Sequence, residues 1–243
     1  MPGSGPFDDD EGQFLPDSKR TALIDHGFQT LVGGAPTTTG LIDIALTYAP
    51  RLVAVDGGAN TLLKLGRRPD LVVGDLDSIS YAARTAFADR IVHISEQDST
   101  DFAKALRTSP ARLTIAVGFV GARVDHLLSA LTEIARSRAR VILLGDDDCI
   151  CLMPPRLSLD LVAGTRVSLW PLGPAGGTST GLKWPIDGLS FSPTTRTGTS
   201  NEATGPVTLA MQGDMLLILP AAELPKLVVA VQSPPRGAPA RPL

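Results

Sequence analysis

Between about Thr21 and Leu144, short apolar runs alternate with longer stretches in which apolar and polar residues mix. The runs are Thr30-Leu31-Val32, Leu52-Val53-Ala54-Val55, Leu71-Val72-Val73, Ile91-Val92-His93-Ile94, Leu113-Thr114-Ile115-Ala116-Val117 and Val141-Ile142-Leu143-Leu144. They are continuous rather than alternating, as in strands covered on both faces. Each of the first five leads into Gly, Asp or Ser and then into a segment of helical length. This βαβα rhythm predicts a mostly parallel sheet with helices on both sides.

From about Pro154 the helical pattern fades and Gly, Pro, Thr and Ser become dense. Arg166-Val167-Ser168-Leu169-Trp170, Pro206-Val207-Thr208-Leu209-Ala210-Met211 and Met215-Leu216-Leu217-Ile218-Leu219 read as strands, with Gln212-Gly213-Asp214 as the turn between the last two. The expected fold class is α/β: an α/β domain over 21–153, then a smaller all-β domain, sandwich- or barrel-like, over 154–232. Residues 1–20, rich in Gly, Pro and Asp and without periodicity, predict a disordered arm, and the Pro/Arg-rich residues 233–243 a flexible tail.

Composition narrows the function classes. An apolar content of 43% is enough for a real core. Lys and Arg total 22 against 25 Asp and Glu, a net charge of −3 with no basic block, which argues against a nucleic-acid partner. The only cysteines, Cys149 and Cys151, make no disulfide framework and read as buried, inert thiols. No apolar stretch reaches the roughly 20 residues of a spanning helix, and the N-terminus lacks a basic patch followed by an apolar run. The expectation is a cytoplasmic protein without a membrane partner.

The chemistry concentrates in two acidic motifs, Gly74-Asp75-Leu76-Asp77-Ser78 and Gln97-Asp98-Ser99-Thr100-Asp101-Phe102-Ala103-Lys104. The first follows a buried strand and the second opens a helix, so both fall on the sheet edge where α/β proteins bind ligands. Carboxylates gathered there repel one another unless a cation sits among them, and hard oxygen ligands suit Mg²⁺ with a phosphorylated substrate. Asp56, in Val55-Asp56-Gly57-Gly58-Ala59-Asn60, ends another strand on that edge, and Gly33-Gly34 can bring backbone N–H groups close to a phosphate. Asp98 reads as an N-cap with Asp101 in the first helical turn, while a phosphate at this helix start would account for Thr100 and Lys104 together. Arg123 can grip phosphate through its planar fork, with Asp125 orienting it or joining the acids. His126 reads as structural. Asp75-x-Asp77 also invites comparison with the nucleophile motif of haloacid-dehalogenase-type phosphatases. That motif belongs on a first strand, whereas this one follows the third. Trp184, between Gly181-Leu182-Lys183 and Pro185, has a more exposed setting than Trp170.

Taken in order, Asp56-Gly-Gly-Ala-Asn60, Gly74-Asp-Leu-Asp-Ser78, Gln97-Asp-Ser-Thr-Asp101-Phe-Ala-Lys104, Gly121-Ala-Arg-Val-Asp125-His126, Gly181-Leu-Lys-Trp184 and Ser200-Asn201-Glu202 resemble the thiamine pyrophosphokinase family. The chain departs from the family at Ala122, usually Gly, and at Val120, often Thr. The resemblance implies an N-terminal nucleotide-binding α/β domain, a C-terminal β-sandwich for thiamine binding and dimerisation, and a homodimer with its active sites between subunits. It implies transfer of the diphosphate of Mg·ATP to the hydroxyethyl group of thiamine, releasing AMP. By resemblance, Asp75, Asp77 and Asp101 bind Mg²⁺ with Asp98 close by. Thr100, Lys104 and Arg123 hold phosphates, and Asp56 and Asp125 line the nucleotide site. Gln97, Ser200 and Asn201 contact thiamine or its diphosphate, and Trp184 stacks on the thiamine rings, an indole face suiting the cationic thiazolium. A diphosphokinase for a pterin alcohol and a non-catalytic thiamine or nucleotide sensor are the competing readings.

Overall fold

All six apolar runs become parallel strands. They are β1 (Phe28–Val32), β2 (Arg51–Val55), β3 (Leu71–Gly74), β4 (Ile91–His93), β5 (Leu113–Val117) and β6 (Val141–Leu144). The computed structural model describes residues 27–232, so the arm and tail expected at 1–20 and 233–243 lie outside the described residues. The parallel strands lie in the order β6-β5-β1-β2-β3-β4. The chain therefore reverses its direction of winding at β1, and the crevice between the carboxyl ends of β1 and β5 is the topological switch point.

Alternate residues of these strands feed two apolar layers. Val32, Ala54, Val72 and Ile115 pack with helices α1 (Thr39–Tyr48), α2 (Gly58–Lys64) and α3 (Tyr81–Ala86) on one face. Leu31, Val53, Val73 and Ala116 pack with α4 (Asp101–Thr108) and α5 (Val124–Ser137) on the other. Side-chain hydroxyls set three of the helix starts: Thr38, Ser80 and Thr100 each accept a hydrogen bond from the first-turn backbone. Asp98, expected as a cap, lies outside the helix, because Thr100 is the residue whose hydroxyl reaches the Ala103 N–H at 3.2 Å.

The sheet does not stop where the composition changes. After β6 the chain turns at Gly145 and runs back as β7 (Asp148–Leu152), which pairs antiparallel with β6. The remaining strands are β8 (Arg156–Leu159), β9 (Arg166–Pro171), β10 (Ala175–Leu182), β11 (Ser190–Phe191), β12 (Gly198–Gln212) and β13 (Met215–Pro220). They extend the ladder to β11-β10-β12-β9-β13-β7-β6, giving a mixed 13-stranded sheet in which β8 pairs with β12. The first residues of β12 pair with β9 and its later ones with β10 and β8, so this 15-residue strand passes from one ladder into another.

Two features of this half depart from the sequence reading. β7 was not anticipated: its Cys149-Ile150-Cys151 core is short and follows Asp146-Asp147-Asp148, which hides the strand. Both thiols are buried and free, and burial pushes that of Cys149 up to about 12, so they are inert at neutral pH. The C-terminal part is also not all-β. Helix α6 (Leu224–Gln232) buries Leu224, Leu227, Val228 and Val231, in the i, i+3, i+4, i+7 pattern, against the same apolar layer as α1 to α3.

Candidate active site

At the carboxyl ends of β2 and β3 the backbone turns sharply to present acids. Asp56 directly follows β2 with φ of 41°, and Leu76, between Asp75 and Asp77, has φ of 67°. This left-handed region is uncommon for non-glycine residues; aspartate enters it more readily than most, while Leu76 needs its surroundings to hold it there. Leu76 is buried and anchors its turn. Gly74 is required beside it, because a Cβ there would sit 2.8 Å from the Asp56 Cβ and 3.3 Å from Asp101 Oδ1. Asn60 braces the same loop: its amide donates to the Ser78 carbonyl at 2.8 Å and accepts from the Ser80 N–H at 2.8 Å. The signal for Asn60 was present at the end of the Asp56 motif, although it was not assigned a role.

Three carboxylates converge. One oxygen from each of Asp56, Asp75 and Asp101 lies within 4.8 Å of the others. Asp101, the first residue of α4, reaches over to accept the Asp75 N–H at 3.1 Å. The Lys104 ammonium, one helical turn on and buried, donates to Asp75 Oδ2 and Asp101 Oδ1, both at 3.0 Å. One ammonium against three carboxylates leaves the cluster short of positive charge.

The titration of these groups follows from their neighbours. Burial and then the charge of Asp101 push the Asp56 carboxyl up. Burial acts the same way on Asp75, but hydrogen bonds from Lys104, the Asp77 N–H and Gln97 outweigh it and hold Asp75 below the usual carboxylate range. Burial opposes the Lys104 charge, yet its two carboxylate partners win and raise it.

Of the other expected residues, Asp77 and Gln97 bond directly to this group. Asp77 is exposed, its N–H donating to Asp75 Oδ1 at 3.2 Å while its own carboxylate accepts from Ser78 Oγ at 2.8 Å. The geometry thus brings Asp56, rather than Asp77, into the tight triad. Gln97 lies beside Asp75, with Nε2 3.4 Å from Oδ2. Asp98 is exposed and points no hydrogen bond at the triad among the described residues; its N–H donates to Glu96. Across the switch point, Gly33 N–H and Ala35 N–H donate to the Val117 and Gly118 carbonyls, both at 2.9 Å, locking the β1 and β5 loops together. In the first of these loops the Thr37 hydroxyl is buried without a partner among the described residues, a feature the sequence did not signal. The rings of Phe119 and Phe102, with centroids 4.6 Å apart, tie the β5 loop to α4. Beyond it, Arg123 and Asp125 form an exposed forked pair at 3.1 and 2.5 Å.

Trp184, Ser200 and Asn201 are elsewhere. Trp184 follows β10 and is 54% exposed. Ser200 lies in a bulge of β12 with φ of 61°, and Asn201 is buried behind Trp184. β12 stands eight strand positions from β3 in the sheet order, on the order of 40 Å along the sheet at about 4.8 Å per step.

Residues 43–143 match the family model described as thiamin pyrophosphokinase, catalytic domain, and residues 156–216 match that described as thiamin pyrophosphokinase, vitamin B1 binding domain. Thiamine pyrophosphokinase 1 of Oryza sativa subsp. japonica is 29% identical over 176 residues, covering 58% of this chain and 67% of that protein. Thiamine pyrophosphokinase 3 of the same plant is 29% identical over 215 residues, covering 70% and 80%. The crystal structure of thiamin pyrophosphokinase from Geobacillus thermodenitrificans superposes with a TM-score of 0.66 at 26% identity, covering 79% of this chain and 96% of that one. That of Candida albicans has a TM-score of 0.67 over 79% and 88%, but at 17% identity it bears on the fold only. Two models of one family, side by side along the chain and joined by these relatives, lead to one conclusion: the chain belongs to the thiamine pyrophosphokinase family.

Proposed function

We propose that this protein makes thiamine diphosphate by moving the diphosphate of ATP onto the hydroxyl of thiamine, with AMP as the other product. The observation that carries the reading is the Asp56–Asp75–Asp101 triad with the buried Lys104, on the ligand-binding edge of a chain that matches both family models. The donor set fits Mg²⁺. All three ligands are hard oxygens, and Asp56 Oδ1 is buried without a hydrogen-bond partner among the described residues. Asp56, Asp75 and Asp101 would hold the ion, with Asp77 and Asp98 nearby. When bound, it supplies charge neutralisation for the phosphates and lowers the energy of the developing negative charge.

The chain's own residues do the rest. Lys104 fixes Asp75 and Asp101 in their converged positions and helps hold the Asp75 carboxyl below the usual carboxylate range. The glycine loops after β1 and β5, with Thr37, Thr100 at the N-terminus of α4, Arg123 and Asp125, form the surface for the nucleotide and its phosphates. Gln97, beside Asp75, and Ser200 would address thiamine, and the open ring of Trp184 suits stacking on a cationic heterocycle. Catalysis is then mainly positioning of the thiamine hydroxyl in line with the β-phosphorus.

We divide the chain at 153/154 into a nucleotide-binding part and a thiamine-binding sandwich. The separation of Trp184 from the triad along the sheet supports a homodimer in which one subunit's triad meets the other's Trp184. Val124 and Leu128, exposed on consecutive turns of α5 next to Arg123, give that second copy apolar surface to cover.

The test is product analysis of the purified protein with Mg·ATP, with and without thiamine. Equal amounts of AMP and thiamine diphosphate, both dependent on thiamine, are expected. AMP without thiamine dependence would turn the assignment towards hydrolysis or another alcohol such as a pterin. Thiamine binding with no AMP would leave a sensor.

A further inference from the structure

We propose that Asn201 is a positioning residue that acts on thiamine through Trp184 rather than by touching it. The inference rests on the reading of Trp184 as the stacking platform. Asn201 is 7% exposed. Its Oδ1 accepts from the Trp184 N–H at 3.2 Å and from the Glu202 N–H at 2.8 Å, while its Nδ2 donates to the Trp184 carbonyl at 2.7 Å. An asparagine amide offers two donors and two acceptor sites, so most of its capacity is engaged inside the chain, on both polar backbone groups of one residue.

The need for that clamp is visible in the ladder. β10 pairs with β12 as far as Leu182 opposite Ala203, and the Lys183 N–H still reaches the Glu202 carbonyl at 2.8 Å. Trp184 is the next residue, and Pro185, which has no N–H, follows it. The Asn201 side chain thus takes over where the β12 backbone stops serving Trp184. The bulge between Gly198 and Asn201, held by the Ser200 N–H on Ser168 Oγ at 3.0 Å, re-aims the β12 side chains towards this role. Beside it, Glu202 holds Lys183 at 3.2 Å, and the Lys183 ammonium lies 4.9 Å from the Trp184 ring centre. The result is an exposed ring on a fixed backbone. A platform ordered before its ligand arrives loses less freedom on binding, which tightens the complex.

A double-mutant cycle separates the two roles. Thiamine binding is measured by equilibrium dialysis for the full chain, Trp184→Ala, Asn201→Ala and the double variant, with melting temperatures as a check on folding. Each single change is expected to weaken thiamine about tenfold, and the double variant to bind within about twofold of Trp184→Ala, because residues acting through one contact are not additive. The KM for ATP should stay constant in Asn201→Ala. In a Trp170→Phe background, where Trp184 is the sole fluorophore of its type, Asn201→Ala should lower the fluorescence anisotropy of Trp184. Should Asn201→Ala fail to fold, Asn201→Asp, which replaces the donor to the Trp184 carbonyl by a carboxylate oxygen and adds a negative charge, takes its place in the cycle. Losses that multiply to about a hundredfold, or an Asn201 variant that binds as the parent does, would overturn the proposal while leaving the Trp184 reading intact. Unchanged binding in Trp184→Ala would remove that reading and this inference with it.

Discussion

At the β2–β3–α4 edge, ionisable groups are packed into the protein: Asp56 is 6% exposed, Lys104 1%, and glycine is the only residue that fits between the acids. At the β10–β12 edge the arrangement is inverted. The large apolar ring is open to solvent and a neutral buried amide holds it from behind. Buried charge is costly and is kept where it will meet opposite charge at the moment of reaction. An exposed, preordered ring suits reversible capture of a flat cation. The contrast argues that one end of the sheet performs the chemistry and the other recognises the acceptor.

The largest effect should come from Asp75→Asn. Losing a charged member of the triad is expected to lower kcat by about a thousandfold or more, seen in single-turnover AMP release, with little change in thiamine affinity. An equal loss in affinity would dissolve the division of labour. Lys104→Met should follow, with kcat lower by about a hundredfold. It should also lower stability by roughly 3–5 kcal/mol in urea unfolding, because Asp75 and Asp101 would be left without their buried cation. Trp184→Ala should weaken thiamine about tenfold with the KM for ATP unchanged.

The smallest effect is on stability. Asp56 has its carboxyl raised when folded, so the folded state favours its protonated form. Its ionisation therefore subtracts stability as pH rises from the unfolded value of about 3.9 through the folded one. Asp56→Asn should raise the melting temperature at pH 7, by about 2–4 °C if the relief is near 1 kcal/mol, with no gain near pH 3. Asp75 has the opposite sign. Its depressed carboxyl stabilises the fold above the unfolded value, and that contribution is lost as pH falls through the folded one. A comparison of Asp56→Asn with Asp77→Asn in activity sharpens the account further, since the geometry ranks Asp56 the more severe.

The parallel strands were legible because runs such as Leu71-Val72-Val73 and Val141-Ile142-Leu143-Leu144 are buried throughout and carry no polar residue. β7 was not, since Cys149-Ile150-Cys151 is too short to outweigh the acids before it. α6 lies within the stretch expected to be all-β, and its helical period shows in the residues it buries, Leu224, Leu227, Val228 and Val231. The acidic motifs stood out by composition, yet their membership in one triad depended on two turns at positive φ, which residue types do not encode for Asp56 or Leu76. Asn201 shows the limit most clearly. Its place in Ser200-Asn201-Glu202 pointed to thiamine, while its hydrogen bonds lead to Trp184.

The most direct test of a chemistry edge and a recognition edge meeting across two subunits is complementation. Asp75→Asn protein is mixed with Trp184→Ala protein under subunit exchange and assayed at thiamine well below its KM. The account predicts recovery to about a quarter of the parent activity, because half of the exchanged dimers carry one site with both residues intact. Activity that stays at the mean of the two separate variants would contradict it and return both residues to a site within one chain.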